Sequence, residues 1–249
     1  MRLDFETDDG WGRRATLGLI VLQADETIEP ELRTLTGHDG VVLYHSRIPS
    51  DPDVTPETLA RMEAQIPAST RLLPEGLDFD VIGYGCTSGA TIIGAEKVSR
   101  AINSVKPGTI TTDPLTAVKA ALKSLGTRRI GFLTPYVAEV SQAMRENLEA
   151  SGLEIAAFGS YEQSEEQLVA RIAPESVLRS ILKVGGSADC DAIFASCTNL
   201  RTLKVLEAAE AALGKPVIAS NQALAWHMLR LAGINDTPAG LGRLFQAPL

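Results

Sequence analysis

The chain has 249 residues, 45% of them hydrophobic and 22% charged, with 23 basic against 31 acidic side chains and a net charge of −8. That size buries a full core in one large domain or two small lobes, and the acidic balance argues against a general nucleic-acid or anionic-membrane partner. No apolar run approaches the about 18–20 residues that cross a bilayer, and the acidic opening MRLDFETDDGWGRR has no signal-peptide core, so a cytoplasmic location is expected.

Short β-branched runs alternate with longer helical patterns, the signature of α/β layers on parallel sheets. Strands are expected near 15–22, 40–45, 79–85, 108–111, 129–134, 153–158, 191–195 and 216–219. Helical spacing runs over 55–73, 88–104, 113–125, 137–151, 174–185, 199–213 and 221–232. Thr55 and Pro56 form a good N-cap and first turn. Gly126, Gly152 and Gly214 follow three helical patterns as stop signals.

The chain repeats itself. Residues 79–88 read FDVIGYGCTS and residues 190–199 read CDAIFASCTN. Each is an apolar run opened by aspartate (Asp80, Asp191) and closed by Cys-Thr, with Cys86 and Cys197 lying 111 positions apart. Gly18 precedes Cys86 by 68 residues and Gly131 precedes Cys197 by 66. The fold expected is therefore α/β, a duplicated unit of two lobes related by a pseudo-twofold axis. Each lobe carries a parallel four-stranded sheet and one of the two cysteines, which face each other across a cleft. The chain crosses between lobes near 112–114 and again near Ser220. The N-terminal lobe is then 1–112 plus 220–249, and the C-terminal lobe 113–219.

Parallel strands bind ligands outside their carboxyl ends, which gathers 23–27, 86–89, 134–136, 197–199 and 220–221. Each of the paired cysteines follows a buried strand and is expected to open a helix, where unpaired N–H groups favour thiolate. Thr87, Ser88, Thr198 and Asn199 are capping residues whose N–H and hydroxyl groups suit a carboxylate. A single cysteine after a buried strand is usually a small core residue, the reading for Cys190. Two at equivalent repeat positions point to an acid/base pair. Three cysteines form no disulfide framework or zinc pattern, and the three scattered histidines suggest no metal site.

The segments GLIVLQADETIEPE (18–31), GYGCTSG (83–89), Thr134-Pro135-Tyr136, SCTNLRTL (196–203) and SNQALAW (220–226) resemble the Asp/Glu racemase superfamily. The nearest branch is that of maleate cis-trans isomerases, arylmalonate decarboxylases and racemase-like proteins of ectoine utilisation. The resemblance covers nearly the whole chain. It implies two Rossmann-like (flavodoxin-like) lobes with the active site between them, no cofactor, a small-molecule carboxylate substrate and a homo-oligomer, a dimer or higher. It makes Cys86 the first-half base or nucleophile and Cys197 its partner. It also implies that Thr87, Ser88 and Tyr136 hold a carboxylate or enediolate; without it, Tyr136 would equally be a packing residue. Decarboxylases of the branch carry only the second cysteine, so Cys86 argues against simple decarboxylation.

Maleate isomerases carry a segment resembling PSSNTTMEPE after the first strand, where this chain has Gln23, Asp25 and neighbours. Asp25 stands where an asparagine binds a substrate carboxylate, and a second family asparagine falls near Glu166. Ionised Asp25 would repel a dianion and suits a monocarboxylate with a cationic part, such as ectoine or hydroxyectoine. The plainer reading makes Asp25 the cap of the following helix. Asn221 either lines the site or caps the last helix. The expected function is a cofactor-independent racemase, epimerase or isomerase acting through Cys86 and Cys197, with an ectoine- or hydroxyectoine-derived substrate favoured. The alternatives are maleate cis-trans isomerase, an aspartate/glutamate-type racemase, an arylmalonate-decarboxylase-like enzyme, or a non-catalytic binding protein.

Overall fold

Two parallel four-stranded sheets organise the computed structural model, which describes residues 1–8, 10–186 and 189–249. The first has the order β2-β1-β3-β4, from β1 (Ala15–Leu22), β2 (Val41–Ile48), β3 (Val81–Gly85) and β4 (Ile110–Thr112). The second repeats it as β6-β5-β7-β8, from β5 (Arg129–Tyr136), β6 (Glu154–Gln163), β7 (Ala192–Ala195) and β8 (Val217–Ala219). The central strands β1, β3, β5 and β7 are buried almost throughout, as expected where helices cover both faces of a parallel sheet.

The repeated aspartates have a structural use. Asp80 accepts from Thr16 N–H (2.8 Å) and Asp191 from Arg129 N–H (3.0 Å). Their own N–H groups donate back to Thr16 and Arg129 carbonyls. Each therefore fixes the register of two central strands at the end away from the cysteines.

The helices are α1 (Ile28–Leu35), α2 (Pro56–Arg61), α3 (Ile66–Thr70), α4 (Thr87–Ile93), α5 (Ala95–Asn103), α6 (Pro114–Ser124), α7 (Ala138–Ala150), α8 (Glu166–Arg171), α9 (Pro174–Gly186), α10 (Leu206–Leu213) and α11 (Ser220–Leu231). Three expected helices are shorter or broken. The 55–73 pattern splits into α2, a 3-10 turn and α3, with Pro67 starting the second piece because it has no N–H for a continuous ladder. The 88–104 pattern breaks at Gly94 (φ +91°). The 199–213 pattern begins only at Leu206, after a 3-10 turn over Leu203–Val205. α1 and α8 are additions to the helical spans read from periodicity, each too short to register as a repeating apolar face.

α11 follows β8 of the second sheet yet packs on α1, β3 and β4 of the first, and on α6. Its residues 220–230 are all buried, as a helix enclosed on every side must be. A Cβ on Gly83 of β3 would sit 2.8 Å from Met228 Sδ, so that strand approaches α11 only as glycine.

Candidate active site

Both sheets reverse strand order beside their first strand, β1/β3 in one and β5/β7 in the other. The crevice at such a reversal, outside the strand carboxyl ends, is where open α/β sheets take ligands. Asp25 and Cys86 follow β1 and β3; Tyr136 ends β5 and Cys197 follows β7. The duplication thus brings two thiols, a phenol and a carboxyl toward one place.

Cys86 is itself the N-cap of α4. Its Sγ accepts from Gly89 N–H at 3.1 Å and lies 3.5 Å from Ser88 Oγ. Gly89 is required there, since a Cβ would fall 2.7 Å from Tyr84 Oη and 3.0 Å from the sulfur. The expectation that Cys197 likewise opens a helix is not met. Residues 198–202 form a turn and a bend that run into irregular chain, and Cys197 has φ +112°, a region few non-glycine residues enter. Its Sγ accepts from Asn199 N–H (3.3 Å), and its own N–H donates to Ser220 Oγ (3.0 Å).

Burial works against the expected thiolates. It pushes Cys86 up to about 12, with Glu166 and Asp25 adding to the rise against the Ser88 and Gly89 hydrogen bonds. Burial and then Glu166 raise Cys197 well above the usual thiol range, opposed by a hydrogen bond from Tyr136. Tyr136 is raised by burial and by the charges of both cysteines and Glu166. These mutual effects make Cys86, Cys197, Tyr136, Glu166 and Asp25 one electrostatic cluster. Two hydroxyls pin the Tyr136 carbonyl, Ser141 at 3.1 Å and Ser160 at 2.6 Å.

Asp25 is buried. Its Oδ1 accepts from Thr27 and Ile28 N–H, both at 2.8 Å, so it does hold the start of α1. Its Oδ2 is buried with no hydrogen-bond partner. The Thr198 hydroxyl acts on the same carboxyl without closing a hydrogen bond of good geometry. Burial raises Asp25 above the usual carboxylate range and raises Glu166 to about 7, with Asp25 adding to the latter.

Several expected ligands are committed elsewhere. The Thr87 hydroxyl donates to Ser220 Oγ at 2.9 Å. Asn199 accepts from Glu26 N–H (2.9 Å) and donates to the carbonyl and carboxylate of Glu166 (3.0 and 2.8 Å). Asn221 donates to Glu31 and to the Thr198 carbonyl, both at 2.8 Å, while its Oδ1 is buried and unpartnered. Gln23 is exposed, and its carbonyl accepts from Arg47 (3.1 Å), which also holds the Leu22 and Asp25 carbonyls. Ser88 and Tyr136 remain beside the sulfurs. Sequence reasoning did not single out Glu31. Its only signal was its place in the 18–31 segment, which says nothing of its reach to the other lobe.

A two-lobed α/β protein with a cysteine turn in each lobe is the class that fold and geometry define. The sequence profile described as arylmalonate decarboxylase matches residues 96–245, and the chain belongs to that family. The maleate isomerase of Nocardia farcinica is 26% identical over 239 residues, covering 92% of this chain and 95% of that protein. Arylmalonate decarboxylase of Bordetella bronchiseptica is 32% identical over 132 residues, 52% of this chain and 55% of its own. A double mutant of arylmalonate decarboxylase, solved in a liganded form, superposes with a TM-score of 0.83 at 27% identity, covering 93% of this chain and 99% of that chain.

Proposed function

We propose that the protein is a cofactor-independent isomerase of a small carboxylate, with Cys86 and Cys197 as its acid/base pair. The observation that carries this reading is the paired turn: two buried thiols at equivalent positions of the two sheets, both acting on Tyr136. In a racemase or epimerase cycle one thiolate takes the α-proton, forming S–H. The C–H electron pair passes into an enediolate, held by Tyr136 and Ser88. The opposite thiol then delivers its proton to the other face.

The carboxyls support a choice of substrate. A thiol with a pKa of about 12 is ionised about once in 10⁵ at pH 7. Glu166 and Asp25 add to the rise of Cys86 and of Cys197, which also lies well above the usual thiol range. A cationic group paired with them would relieve that effect and bring a thiol down toward working range. A dianion would meet it instead: like charges about 5 Å apart repel by about 3 kcal/mol at an effective dielectric of about 20. A monocarboxylate with a cationic or N–H-rich part fits best, and the cyclic amidine acids ectoine and hydroxyectoine are the first candidates.

Maleate cis-trans isomerisation is the second reading. It is favoured by maleate isomerases of two organisms that each match 92% of this chain.

Proton NMR in D₂O with maleate, aspartate, glutamate, ectoine and hydroxyectoine tests both readings, beside the double Cys86→Ala/Cys197→Ala variant. Loss of one substrate's α-proton signal, absent in the variant, supports racemisation or epimerisation. Fumarate from maleate supports the second reading. Equal behaviour of variant and wild type on a turned-over substrate sinks the cysteine-pair mechanism.

A further inference from the structure

The turn that carries Cys197 is held from outside its own sheet. Cys197 sits at φ +112°, and a residue in so sparsely populated a conformation persists only where its surroundings over-determine it. Its N–H is taken by Ser220, at the head of α11. The residues that follow are gripped by α1 and the loop before it. Glu31 Oε1 accepts from the N–H groups of Thr202 (2.8 Å) and Leu203 (2.9 Å). Glu31 Oε2 accepts from Asn221 Nδ2 (2.8 Å), which also donates to the Thr198 carbonyl (2.8 Å). The Thr27 hydroxyl donates to the Asn199 carbonyl at 2.9 Å.

We infer that Glu31 is a positioning residue for Cys197. A carboxylate rooted beside the first sheet fixes the strained turn that presents the second sheet's thiol, so the second thiol holds its place only while the two lobes are docked. The inference concerns the same thiol as the proposed reaction, and its importance for turnover rests on that reading. Glutamate suits the task because both oxygens are pure acceptors facing donors. Glutamine would keep the limb to Thr202 and Leu203 but would set an NH₂ against Asn221 Nδ2.

The test reads thiols and needs no substrate. The full-length protein is treated with iodoacetamide, and modification of each of the three cysteines is followed by mass spectrometry. All three are buried, so each rate reports local opening around that thiol. Cys86 and Cys190 serve as internal references. Glu31→Gln, which conserves volume, and Glu31→Ala are compared with wild type.

The expected result is a tenfold or greater rise in the Cys197 rate in Glu31→Ala and a smaller rise in Glu31→Gln, with Cys86 and Cys190 within threefold. Cys197 within threefold of wild type would overturn the inference. So would all three rates climbing together, because that signals a general loosening of the fold. Should Glu31→Ala fail to fold, Glu31→Gln alone carries the test at a threefold threshold. A positive result stands even if no substrate is turned over, so failure of the reaction reading is separately visible.

Discussion

Replacing Ser220 by alanine should destabilise the protein by about 2–6 kcal/mol. Ser220 Oγ is fully buried and accepts two donors, Cys197 N–H at 3.0 Å and Thr87 Oγ at 2.9 Å. Alanine leaves a backbone N–H and a hydroxyl with no acceptor in a site as small as one hydroxyl. Each orphaned buried donor costs about 1–3 kcal/mol. The measurement is urea unfolding followed by circular dichroism, with the slope checked against wild type so that two-state analysis holds. At this chain length each kcal/mol lowers the melting temperature by about 2–4 °C. The companion variant Thr87→Val removes one donor with little change of shape. The Ser220→Ala/Thr87→Val double variant should therefore lose less than the sum of the singles, by about 0.5 kcal/mol or more. A Ser220→Ala cost under 1 kcal/mol, or strict additivity, would refute the view that this oxygen ties the two cysteine turns together.

The remaining expectations concern charge and chemistry. Glu166 has a folded pKa of about 7 against an ordinary 4.5, so over that window the unfolded chain binds fewer protons and stability falls as pH rises. Its share, on the order of 3 kcal/mol for a shift of that size, should vanish in Glu166→Gln when unfolding free energies at pH 4.5 and 8 are compared; an unchanged slope would count against it. Cys86→Ser and Cys197→Ser should each abolish turnover while calorimetry still detects substrate binding, and a variant that keeps even a tenth of the activity removes its thiol from the chemistry. Asp25→Asn should cut turnover of a cationic monocarboxylate at least tenfold and improve tolerance of maleate; equal kcat/KM for the cationic substrate would leave Asp25 as only the cap of α1. Arg230, buried and donating to the carbonyls of Ile234, Phe245 and Ala247, should cost 2 kcal/mol or so when replaced by lysine, because a single ammonium cannot reproduce that fork; a melting temperature within 2 °C of wild type would contradict this.

What the sequence made legible was what repeats or alternates. The duplication, the eight strands, the two Cys-Thr turns and the capping role of Thr55 all rest on local patterns, and all are present. What stayed hidden depends on partners far away in the chain. Thr198 and Asn199 read as helix caps because Ser, Thr and Asn usually are. Nothing local says that Glu31 and Asn221 would take the N–H and carbonyl groups of that segment and keep it out of a helix. Asn199 likewise looked free for substrate until Glu26 and Glu166 claimed its amide. The thiolate expectation weighed the pull of a helix end without the depth of burial, which is the larger effect. Asp25 comes nearest to the plainer of its two readings, one oxygen accepting from the N–H groups that open α1 while the other is buried and unpartnered.

The path of α11 sets a condition on how this molecule can come apart. The helix leaves the second sheet at β8 and lays Met228 into the groove over Gly83 of the first, so β8 and the strand that leads into Cys86 share one cover. A nascent chain that has emerged only as far as residue 219 holds every strand of both sheets but lacks the helix that seals the first. Both thiol turns are tied to the head of that helix through Ser220. Docking of α11 is therefore expected to complete both cysteine turns together, and its undocking to release both at once.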